Sequence, residues 1–133
     1  MWAVDTNLLV RYYTRDDAKQ AARAKKWMAR HLPCFVPISV VLELHWVLES
    51  AYGMRPKQTL SVMQHLANSP AFQVESGLAV QRAISAAEHG LAFDDALHWA
   101  LSYACEGIAT FDDRGFARKA RKLGMRPPVA IPE

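Results

Sequence analysis

Ile108-Ala109-Thr110-Phe111-Asp112-Asp113 is a short strand-like run that passes straight into carboxylates. Branched Ile108 and Thr110 and the ring of Phe111 favour extended backbone, and Asp favours the turn that follows. The chain opens the same way, with Trp2-Ala3-Val4 leading into Asp5-Thr6-Asn7. Working outward, Cys34-Phe35-Val36, closed by Pro37, and Phe72-Gln73-Val74 predict two more strands, and Val129-Ala130-Ile131 a fifth. Helical segments separate them. Asp16 or Asp17 is placed to cap a helix running to about His31, and Ser39 one running through about Ala51. Further helices are expected over about Lys57–Asn68, Ala79–Glu88, Phe93–Glu106 and Phe116–Leu123. Strands alternating with helices predict an α/β fold. The expected form is a three-layer α/β/α sandwich around a central parallel sheet of four to five strands, one domain over residues 1–133.

Composition narrows the class. A chain of 133 residues with 51% hydrophobic and 22% charged residues buries about two thirds of its surface on folding. That excludes a disordered, collagen-like or coiled-coil chain. Cys34 and Cys105 are the two cysteines and form no C-x-x-C pair, which argues against a disulfide framework or a zinc ribbon. A reducing, cytoplasmic setting is expected. Met1-Trp2-Ala3-Val4-Asp5 reaches a charge at once, so no signal peptide is expected, and no run of apolar residues is long enough to span a membrane.

The acids carry the chemistry. In an open parallel sheet, ligands bind beyond the carboxyl ends of the strands. Asp5 and Asp112 each follow a strand, Glu43 lies about one turn into the helix after the second strand, and Asp94 and Asp95 begin the helix that feeds the fourth. Val4, Ile38, Val41, Leu42, Leu97 and Phe111 are expected in the core, with an acid at the rim of each element. Clustered carboxylates repel one another unless a cation is present. Oxygen donors without His or Cys suit Mg²⁺ or Mn²⁺ and the chemistry of phosphoryl groups. Each acid taken alone also fits a blander role, as a turn residue, a helix cap or a solvated helical Glu. The net charge is +3, and setting four acids aside in one site leaves 16 cations against nine acids, a balance of +7 over the rest of the molecule. Such a surface suits a nucleic-acid partner.

Four segments in order resemble the PIN domain, and within it the VapC-type toxins of bacterial toxin–antitoxin pairs. They are Val4-Asp5-Thr6-Asn7-Leu8-Leu9-Val10-Arg11, Ile38-Ser39-Val40-Val41-Leu42-Glu43-Leu44 with Trp46-Val47-Leu48, Phe93-Asp94-Asp95-Ala96-Leu97-His98, and Thr110-Phe111-Asp112-Asp113-Arg114-Gly115-Phe116. The resemblance implies a sheet in the order 3-2-1-4-5. It also implies a metal-dependent endoribonuclease, homodimeric and inhibited by a cognate VapB-type antitoxin. Carried over by position, Asp5, Glu43, Asp95 and Asp112 match the acidic set that binds Mg²⁺, with Asp112 acting directly or through water. Asp95 is chosen over Asp94 because it directly precedes Ala96-Leu97. Asp94 and Asp113 are extra acids relative to the family pattern. Thr6, Asn7, Ser39 and Thr110 are candidates to orient carboxylates or metal waters, or simply to cap the local backbone.

Arg11, Arg15 and Lys119 are candidates to hold RNA phosphates, or members of a solvated basic face. His45 with Glu49, and Asp94 with His98, are spaced as helical surface pairs. Trp2, Trp27, Trp46 and Trp99 are expected in the core or at a dimer surface. Two rival classes remain at this stage. One is a non-catalytic Mg²⁺-binding module for RNA or protein. The other is a phosphatase or receiver-type domain, disfavoured because Asp5 stands alone before Thr6-Asn7.

Overall fold

The computed structural model describes residues 1–133, in two compact units, residues 1–77 and 78–133. The first holds α1 (Thr6–Thr14), α2 (Ala18–Ala29), β1 (Cys34–Val36), α3 (Ile38–Ser50), α4 (Pro56–Asn68) and β2 (Phe72–Val74). The second begins with α5 (Gly77–Glu88), which starts at the boundary. It continues with α6 (Phe93–Leu101), β3 (Ile108–Ala109), a π-helical turn (Asp113–Ala117), α7 (Arg118–Lys122) and β4 (Val129–Ala130). The protein is mixed α/β with short parallel sheets: β1 pairs with β2, and β3 with β4.

In the first unit the expected strand Trp2–Val4 is reduced to a parallel bridge between Ala3 and Phe35. The Val4 N–H donates to the Phe35 carbonyl at 3.0 Å, and the Phe35 N–H to the Trp2 carbonyl at 2.8 Å. The chain then turns into α1, a helix that the sequence reading leaves out. Asp5 caps it and Leu9 and Val10 carry its buried face. Asp17 caps α2 as expected, accepting from the Gln20 N–H at 3.0 Å. Ser39 does not cap α3: the cap position falls two residues earlier, at Pro37, and the Ile38 N–H donates to the Glu75 carboxylate at 2.8 Å. Val41, Leu44 and Leu48 recur at helical spacing on α3 and are fully buried. α1 packs on α2 and α3, α3 on α4, and α4 on β2. Truncating one such leucine to Ala costs about 2–5 kcal/mol.

In the second unit Val80, Ala83 and Ile84 form the buried stripe of α5, and Phe93, Ala96, Leu97 and Ala100 that of α6. α6 ends at Leu101, earlier than expected, where the Ser102 hydroxyl donates to the His98 carbonyl at 2.8 Å. Phe111 is 84% exposed, which overturns its expected place in the core. The last ladder bond of β3 runs from the Thr110 N–H to the Ala130 carbonyl, and a tight turn from the Asp113 N–H to the Phe111 carbonyl then throws the ring into solvent. Phe116, Ala117 and Ala120 fill the core instead. No helix is long and apolar enough to cross a membrane.

Candidate active site

Each unit places one of its acids where a strand-like segment hands over to a helix. In the first, Asp5 is the N-cap of α1, with Oδ1 accepting from the Leu8 N–H at 3.1 Å. The next residue, Thr6, is buried, and its hydroxyl donates to Oε1 of Glu43 on α3. Thr6 thus ties the segment bearing Asp5 to the Glu43 side chain, which is exposed at the rim of α3. Asn7 and Ser39 are both exposed, in the first turns of α1 and α3.

In the second unit Asp112 precedes the π-helical turn and engages both oxygens. Oδ1 accepts from the Gly115 N–H at 2.9 Å and Oδ2 from the Phe116 N–H at 3.0 Å. These backbone donors, Phe116 first, lower its pKa below the usual carboxylate range. The Thr110 hydroxyl accepts from the Asp112 N–H at 3.1 Å. Gly115 is required by this geometry: a Cβ there would lie 2.5 Å from Oδ2 and 2.8 Å from Oδ1 of Asp112.

Asp94 and Asp95 occupy the first turn of α6, where the helix dipole favours negative charge. Asp94 is exposed and accepts from the Asp95 N–H at 2.9 Å. Asp95 is half-buried, and its pKa is raised by burial and then by the charges of Asp94 and Asp112, with His98 and Lys119 pulling the other way. Burial first, then the neighbouring charges of Asp94 and Asp112, thus disfavour the charged form of Asp95.

Within neither unit do three or more His, Cys, Asp or Glu side chains gather into a group that could hold a metal ion. The donors in each unit are carboxylate oxygens, with hydroxyls beside them, which is the donor type of a hard divalent cation. The field at Asp95 is of the kind such a cation relieves. By donor chemistry alone, the carboxylates of each unit suit Mg²⁺ or Mn²⁺.

The other candidates separate. Arg11 is tied to Asp16 at 2.7 Å and to Gln20 at 2.7 Å. Arg15 is exposed at the C-cap of α1 with φ +56°, and Lys119 is exposed on α7. His45 is buried, with Nε2 3.5 Å from the carboxylate of exposed Glu49, so only one end of this pair lies at the surface. Trp99 is buried, whereas Trp2 and Trp46 are mostly exposed. Sequence reasoning missed the Thr6–Glu43 hydrogen bond and the Glu75 cap, both between residues 37 positions apart. It also missed the hydrogen bond from the Tyr52 hydroxyl to Asp16, 36 positions apart. No local pattern reports such long-range partners.

Parallel strand pairs among helices, with a carboxylate capping the turn after a strand end, define an α/β protein built to present acids at strand ends. The particular family follows from comparison with known proteins: the PIN domain family is matched over residues 3–122, through both units, and the chain belongs to it. The PIN domain is generally a nuclease fold, which makes this chain, at that coarse level, a hydrolase of the nuclease kind. No curated protein and no solved structure is matched.

Proposed function

We propose that the chain is a metal-dependent endoribonuclease, the toxin component of a VapC-type toxin–antitoxin pair, with Asp5, Glu43, Asp95 and Asp112 as its metal-binding acids. The observation that carries this reading is the family match over residues 3–122, which contains all four acids. A bound Mg²⁺ or Mn²⁺ supplies the positive charge that stabilises developing phosphate oxyanions and activates water.

The chain's own residues divide the remaining work. Asp5 commits one oxygen to its helix cap, which leaves the other for an ion. Thr6 holds the Glu43 carboxylate in one orientation. Asp112 has both oxygens on backbone N–H groups, so it is a rigid anion that suits contact through water. Lys119, whose charge acts on both Asp95 and Asp112, is placed to attract a phosphate. A water oxygen attacks phosphorus in line, the bond to the 3′-oxygen breaks, and that oxygen takes up a proton. The products are a 5′-phosphate and a 3′-hydroxyl. The strand order 3-2-1-4-5, a single PIN domain, a homodimer, a cytoplasmic location and a VapB-type antitoxin belong to the same reading. An Arg or Lys of that antitoxin in the acidic site would pair with the same carboxylates.

The test is RNA cleavage by the purified chain with and without chelator, for the wild type and for Asp5→Asn. Cleavage that needs Mg²⁺ or Mn²⁺ and fails in Asp5→Asn supports the reading. Metal binding without any cleavage would favour a non-catalytic module instead.

A further inference from the structure

The second unit carries a pocket of about 430 Å³ that the acids do not enter, lined by Arg82, Ser85, His89, Trp99, Met125 and Arg126 among others. That volume lies within the usual range for small-ligand sites, about 300–1,000 Å³. Two guanidinium groups and an imidazole line it, and no carboxylate does. The Arg82 guanidinium lies 4.5 Å from the centroid of the Trp99 ring. That ring is buried, and its Nε1–H donates to the Pro127 carbonyl at 3.1 Å, so Arg82 rests on a fixed support. His89 Nδ1 lies 2.9 Å from the Ser85 carbonyl oxygen. A carbonyl only accepts, so Nδ1 donates there and Nε2 is the nitrogen left for a ligand.

A planar cation stacked on an aromatic ring presents its outer face to another flat π-system, and a second guanidinium beside it suits a phosphate. Both features occur in one nucleotide. The pocket also shares its helices with the acids. Trp99 follows Asp95 by one turn of α6, an axial rise of about 6 Å. The segment Leu123–Arg126 continues from α7, which carries Lys119.

We infer that this pocket is a subsite for one nucleotide of single-stranded RNA flanking the scissile bond, its base stacked on Arg82 and its phosphate held by Arg126. The inference rests on the ribonuclease reading and names a substrate contact outside the four acids. Arg82 and Arg126 are both exposed, so their replacement leaves the core intact.

The experiment is equilibrium binding of a short single-stranded RNA of mixed sequence to the full chain, in chelator so that nothing is cleaved, across a salt series. Arg82→Gln and Arg126→Gln are compared with Lys57→Gln, which removes one exposed charge from α4, and melting temperatures verify folding. Each pocket variant is expected to bind about tenfold more weakly. Arg126→Gln should also reduce the salt slope by about one. Replacing the RNA with an abasic strand of equal length should erase the difference between the wild type and Arg82→Gln. Folded pocket variants that bind like Lys57→Gln overturn the subsite and leave the ribonuclease reading to its own metal-dependent assay. A wild type that binds no RNA in chelator likewise overturns the subsite, and the ribonuclease reading falls only if the metal-supplemented assay shows no cleavage.

Discussion

Asp5 and Asp112 do the same local job in different units, and the difference between them is instructive. Each follows a strand end and caps the next helical turn with its carboxylate. Asp5 accepts one backbone N–H and Asp112 accepts two. The cap reading and the metal reading, alternatives in the sequence, are thus compatible in the structure. A carboxylate fixed by its helix is already oriented, and what distinguishes the two is how much acceptor capacity remains. The units also differ in charge. Residues 1–77 hold nine Lys/Arg against six Asp/Glu, whereas residues 78–133 hold seven of each, with six of those cations between Arg114 and Arg126. The second unit therefore sets an acidic stretch beside a basic one.

The sharpest way to break this comparison is the pair of acids at the start of α6. If half-buried Asp95 is a ligand and exposed Asp94 is not, Asp95→Asn should lower metal-dependent cleavage by about 100-fold or more, as should Asp5→Asn. Asp94→Asn should keep most activity. Cleavage rates for the three variants under saturating Mg²⁺ decide it, and equal loss at Asp94 and Asp95 would remove the distinction.

A smaller effect is expected where the cap itself is attacked. Gly115→Ala forces a Cβ against the Asp112 carboxylate, so that side chain must leave its two N–H donors. Activity should fall by about tenfold, as for loss of a group that orients a ligand, with a lowered melting temperature. The chemistry at Asp5 offers the counterpart. Thr6→Val keeps the shape and removes the hydroxyl that donates to Glu43, and about a tenfold loss of activity with altered metal affinity is expected. Unchanged metal titration in Thr6→Val would make that hydrogen bond purely structural.

Without metal the two caps should part company in stability. Asn is as good an N-cap as Asp, and Asp5→Asn retains an oxygen for the Leu8 N–H, so its melting temperature should barely move. Asp112→Asn has one acceptor oxygen for two donors and should melt lower. Thermal scans in chelator test the contrast, and equal melting points would mean that the second cap bond at Asp112 adds nothing.

The smallest effect concerns pH. The Tyr52 hydroxyl first, then Arg11, lower the Asp16 pKa to about 2. A carboxyl depressed in the folded state stabilises the fold above the unfolded value, near 4, and that contribution is lost as pH falls toward about 2. The group is exposed, so the effect is modest. The gap in melting temperature between the wild type and Asp16→Asn should close across that acid window. A gap that persists at the acid end would mean that the hydrogen bonds, and not the charge, are what Asp16 contributes.

Much was legible in one dimension because it depends on neighbours in sequence. Asp17 before an Ala-rich stretch and Pro56 at a helix start are local signals, and the helices form there. Asp5, Asp95 and Asp112 likewise stand at element boundaries that local patterns mark, whereas Glu43 lies inside α3. α1 was missed because Asp5-Thr6-Asn7 reads equally as a turn, and only packing against α2 and α3 selects the helix.

The sequence by itself determined the alternation of short strands with helices, the oxygen-only donor set and the membership of the PIN family, since these follow from residue type and order. Tertiary structure alone decided that Thr6 meets Glu43, that Glu75 caps α3, that Phe111 faces solvent and that Arg82 stacks on Trp99. Those outcomes hang on contacts between residues far apart in the chain, or on one turn ending a strand early. Neither leaves a periodic trace, because the free energy that selects them comes from partners brought together only by folding.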